Sequence, residues 1–167
     1  MHDGPHPTGP GRHGRHGHHG HGKSPEMAAR HARDRDTFHE LLRRHDSIRR
    51  TVETIPGGIR AVTETDDPAL ADVLRAHVRE MHRRLGEGFG LRHWDPVFAE
   101  VFARRDAIRL EVTETPAGVA IEEVSDDPNV ALLIRAHGTV VTSFVEGGGR
   151  AAALPSPLPA DYVRATA

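Results

Sequence analysis

The chain carries one unit twice. Between positions 38 and 88, 17 of the 51 residues recur 60 positions later without a gap, among them Phe38, Asp46, Pro56, Gly58, the run Asp66-Asp67-Pro68 and the run Arg75-Ala76-His77. Unrelated short segments do not agree that often, so the fold has to accommodate two copies of one element order.

That order is readable from local pattern. "TFHELLRRHDSI" and "VFAEVFARRDAI" space their apolar residues helically, with Phe38, Leu41 and Leu42 in one and Phe98, Val101 and Phe102 in the other. Two stretches rich in Thr, Val and Ile follow, broken by Pro-Gly-Gly and Pro-Ala-Gly, and each predicts a β-hairpin. Asp67-Pro68 and Asp127-Pro128 then open a long helix, the aspartate as cap and the proline at the first position, where no donor is needed. Gly86 and Gly88 end the first long helix, and Gly147 to Gly149 the second. The expected architecture is α+β: two tandem α-β-β-α repeats, their hairpins joined in a four-stranded antiparallel sheet, helices on its apolar side, and a pseudo-twofold between the copies.

Outside the repeats the pattern fails. Residues 1–24 are rich in His, Gly and Pro without apolar periodicity and predict a disordered tail. One domain is expected over 25–148, with repeats at about 27–88 and 89–148. Residues 149–167, a glycine run followed by spaced prolines, read as an extended tail.

Charge and cysteine usage narrow the chemistry. With 22 basic against 24 acidic residues the chain offers no field for nucleic acid, and no apolar run approaches membrane-spanning length. A cytoplasmic protein is the expectation. Cysteine is absent, which excludes thiolate zinc sites, iron-sulfur clusters and covalent c-type haem, and leaves His, Asp, Glu and Met as side-chain ligands.

Histidines then stand out on apolar faces. His77 lies in the stripe Leu70, Leu74, Val78, Met81, and its repeat equivalent His137 lies among Leu133, Ile134, Val141 and Phe144. His45 extends the first helix's stripe toward Ile48. A pseudo-twofold can bring His77 and His137 to one axis with His45 as third ligand, and Met81 adds a thioether that favours copper among Cu, Ni, Zn and Fe. A second metal signal is the tract His13, His16, His18, His19 and His21. The expected function is transition-metal binding by a sensor, carrier or buffer, catalytic only if the ion keeps an open position.

Haem b is the alternative cofactor, with His77 and His137 as axial ligands and Arg75 and Arg135 toward the propionates. One Trp and five Phe are few for such a pocket. A protein-interaction module without cofactor, its core histidines merely hydrogen-bonded, is the third reading.

The runs "RRHDSIRRTVETIPGGIRAVTETDDP", "AHVREMHRRL", "WDPVFAEVFARRDAIRLEVTETPAGV", "SDDP" and "IRAH" resemble a group of bacterial tandem-repeat proteins to which no activity attaches. The likeness runs from Phe38 to Val145 and leaves out the His-rich start. It implies that positions matching His45, His77, Met81 and His137 recur together, which favours a shared site.

Overall fold

A two-residue turn reverses each hairpin. Pro56 and Gly57 link β1 (Ile48–Ile55) to β2 (Gly58–Thr65), with Gly57 at φ 79°, a value that suits glycine. Pro116 and Ala117 do the same between β3 (Arg109–Thr115) and β4 (Gly118–Val124). These elements belong to a computed structural model that describes residues 24–88, 90 and 92–166. The four strands form one antiparallel sheet, as the element pattern predicts, and their order is β1-β2-β4-β3.

The two hairpins join through β2 and β4, with Ala61 opposite Ile121, Gly58 opposite Val124 and Glu64 opposite Gly118. Ile121 is the repeat equivalent of Ala61, so exchanging the copies maps this register onto itself. A pseudo-twofold axis therefore crosses the sheet at that pair. Side chains alternate along both central strands: Ile59, Ala61, Thr63 and Thr65 are buried, as are Val119 and Glu123, while Arg60 and Glu122 are exposed.

Helices cover the buried face. α2 (Pro68–Glu87) and α4 (Pro128–Ala152) begin as the sequence predicts: Asp67 accepts from the amides of Ala69 and Leu70, and Asp127 from that of Asn129. Each long helix packs mainly on the hairpin of the other copy, α2 over β3 and β4, α4 over β1 and β2. The core divides accordingly. Leu41, Leu70 and Leu74 of the first copy enclose Val119 of the second, whereas Val101, Val130 and Ile134 of the second enclose Ile59 of the first. No described helix is long and apolar enough to cross a membrane.

Three boundaries differ from expectation. α1 (Pro25–Arg43) starts well ahead of Phe38, capped by the Ser24 hydroxyl, and ends before His45, which lies in a 3-10 turn, His45–Ser47. The helix cannot run on to Ile48, because the chain has to turn there into β1. The glycines expected to stop α4 interrupt it instead: Gly148 takes φ 57° and ψ −140°, and the helix then resumes to Ala152. The last segment, expected as a tail from residue 149, is helical as far as Ala152 and then fastened down. Ser156 donates from its amide (3.0 Å) and hydroxyl (2.9 Å) to buried Asp95, Ala165 donates to Glu100 on α3 (Pro96–Ala103), and the backbone of Val163 pairs twice with the Asn129 side chain.

Candidate functional site

Repetition of the His77 helix face repeats its ring contact. His77 on α2 stacks on Phe38 (centroids 5.8 Å apart, planes at 20°), and His137 on α4 meets the edge of Phe98 (5.1 Å, 86°). Phe38 and Phe98 are themselves repeat equivalents. Phe144 then joins the halves, 6.0 Å from Phe38 and 6.1 Å from Phe98, with the Arg92 guanidinium over Phe98 and Phe144. His77 and His137 thus end a string of five rings whose three inner members are phenyls. Among the described residues, no three His, Asp or Glu side chains form a group that could hold a metal.

His45 is engaged elsewhere. Its Nδ1 lies 2.7 Å from the Val145 carbonyl, and its ring fills the break in α4, where a Cβ on Gly148 would stand 2.4 Å from His45 Cδ2. Arg105, which replaces it in the second copy, packs in the same way against Gly88, a left-handed residue at the end of α2. The site is a helix-end plug in both copies.

His137 belongs to a buried polar cluster. Its Nδ1 is 3.4 Å from Oε2 of Glu123, a carboxylate in a residue only 3% exposed. Arg50 approaches from β1, donating to the hydroxyls of Thr142 (3.2 Å) and Thr63 (3.0 Å). Burial lowers the Arg50 guanidinium to a pKa of about 10, against the pull of Glu123. The sequence carries a signal for this cluster: strict alternation places Arg50 and Glu123 on the helix-facing side of their strands.

His77 has no such partner. It makes no hydrogen bond or ion pair among the described residues. Burial pushes its pKa down to about 4, opposed by the carboxylates of Asp34 and Glu80. Those two acids are themselves held by Arg84, 2% exposed, which ion-pairs with Asp34 and reaches Glu80 at 3.2 Å. At neutral pH the His77 imidazole is uncharged. Met81, half-buried, follows one turn later on the same helix face.

The lowered pKa has a measurable consequence. A histidine at about 6.5 in the unfolded chain and about 4 in the native one binds more protons when unfolded, so stability is full above pH 6.5 and is lost as pH falls toward 4. For this half-buried ring the loss is on the order of 2 kcal/mol. Urea unfolding at pH 7 and pH 4.5 should show it in the native chain and show it reduced in His77→Phe.

Arg75 and Arg135 hold the repeats together. Arg75 donates to the carbonyls of Thr115 (2.7 Å), Pro116 (3.1 Å) and Gly118 (3.3 Å) in the other copy's turn, and to Asp72 (2.9 Å). Arg135 reaches the equivalent Ile55 carbonyl at 3.3 Å. Propionate binding would compete with these bonds. His13, His16, His18, His19 and His21 lie outside the described residues. No family model matches the chain, and no curated protein or solved structure matches it.

Proposed function

We propose that the chain binds a transition-metal ion, copper(I) before others, with His77 and Met81 as the anchor in the folded domain, and that it acts as a carrier or buffer. The observation that supports this is His77 itself: a neutral imidazole with unpaired nitrogens, one helical turn from a thioether. The ring is half-buried, so its nitrogens are within reach of an incoming ion, and a soft cation suits the imidazole and the thioether together. His45 is bonded to the Val145 carbonyl, and His137 Nδ1, buried without a hydrogen bond, faces the Glu123 carboxylate at 3.4 Å on the far side of the phenyl string, so the three-histidine set contracts to His77 and Met81. Further ligands are available in the chain at His13, His16, His18, His19 and His21.

Competition of the full chain with a chromophoric Cu(I) chelator tests the assignment. His77→Ala and Met81→Leu should each weaken the tight site at least about tenfold, the latter with little loss of stability because the swap nearly conserves volume. His137→Ala should leave it in place. Tight binding that survives His77→Ala overturns the proposal, and a Soret band in the freshly purified protein would assign haem instead.

A further inference from the structure

The duplication places two equivalent clefts at opposite ends of the sheet, each where a long helix begins beside the other copy's turn. The larger, about 800 Å³, is lined by Pro56, Asp126, Pro128, Ala131, Leu132 and Arg135. Its twin, about 310 Å³, is lined by their repeat equivalents Pro116, Asp66, Pro68, Ala71, Asp72 and Arg75. Among these six pairs, chemistry changes only where Leu132 replaces Asp72.

That change alters the arginine beside it. Arg75 spends its guanidinium on three carbonyls and the Asp72 carboxylate. Arg135 makes one long bond, Nη2 to the Ile55 carbonyl, and among the described residues its Nε is buried without an acceptor while Nη1 donates to nothing. Arg135 therefore keeps its Nη1 donor uncommitted, whereas Arg75 has spent its own on Asp72, and a ligand oxygen at Nη1 would make a charge-assisted bond.

The other charges of the cleft choose the anion. Arg109 holds Asp126 through two bonds (2.9 and 3.1 Å), which leaves exposed Asp161 as the remaining carboxylate. Asp161 repels a dianion more strongly than a single carboxylate, and a single carboxylate matches the planar fork of one guanidinium. The walls at Val124, Leu132 and Val163 are apolar. We infer that this cleft binds a small monocarboxylate with a short apolar body, its carboxylate on Arg135, at a site separate from His77.

Calorimetric titration of the full chain with butyrate, butyramide and inorganic phosphate tests this. Butyrate should bind, and the uncharged amide and the phosphate should bind at least about tenfold more weakly. Arg135→Gln and Leu132→Asp should each weaken butyrate by a similar factor, the second by giving Arg135 the internal partner that Arg75 has. Arg75→Gln should leave butyrate binding unchanged. Circular dichroism checks that the variants fold, and Cu(I) binding, which depends on His77, should persist in all three. No butyrate binding, equal binding of the amide or phosphate, or unchanged affinity in both Arg135→Gln and Leu132→Asp would overturn the inference.

Discussion

Alanine at Gly58 or at Gly118 is expected to cost about 3 kcal/mol or more, enough to lower the urea midpoint severely or to prevent folding. A Cβ at Gly58 would stand 1.9 Å from the Glu123 carbonyl oxygen, and one at Gly118 would stand 2.1 Å from that of Thr63. Both obstacles are backbone of the partner strand, so no side chain can move aside. The strands would have to part where β2 and β4 join the copies. Because the two glycines are related by the pseudo-twofold, the two variants should behave alike. Gly86→Ala is the control: it lies within α2 with nothing inside 4 Å of the added methyl, and should be neutral or stabilise by about 0.5–1 kcal/mol. Paired urea titrations of the three variants decide the matter. Full stability in either sheet variant would mean that β2 and β4 do not meet in this register.

The second large effect is expected at Glu123. Removing its carboxylate takes the acid from 3.4 Å beside His137 and takes away the charge that favours the buried Arg50 guanidinium, and a buried charge left without compensation costs about 3–5 kcal/mol. The Arg50→Met, Glu123→Ala double variant should recover much of that loss, since an apolar pair needs no counter-charge. A double-mutant cycle measured by urea unfolding gives the coupling directly. Additive losses would show that the two groups do not interact across the sheet.

Local chemistry explains why the architecture could be read in advance. Asp-Asp-Pro marks both long helices and Pro-Gly marks the first hairpin, because caps and turns use short-range groups that neighbours in sequence supply. The duplication added the long-range part, since two copies with one hairpin each suggest one sheet. The candidate site was less legible. Periodicity correctly placed His77 and His137 toward the core, but it could not show that Phe38, Phe144 and Phe98 connect them, as that depends on how α1, α3 and α4 cross. Extending the α1 stripe to His45 assumed an unbroken helix, where the chain instead tightens into a 3-10 turn. Glu123 sat in an inward position, yet an acid in a strand is usually taken for a solvent-facing residue.

The crossing of the long helices constrains where such a chain can have come from. Val119 is sealed by Leu70 and Leu74 of the other copy, and Ile59 by Val130 and Ile134, so neither copy closes its own core. A precursor with one copy would have had a bare β2 edge and an uncovered hairpin, and would have folded only by exchanging helices with a second molecule. This packing fits an ancestral homodimer whose fusion would have turned an intermolecular partnership into an intramolecular one. Once fused, the halves no longer had to remain identical. Leu132 could diverge from Asp72, and His45 from Arg105, each altering one side of the molecule without disturbing the other.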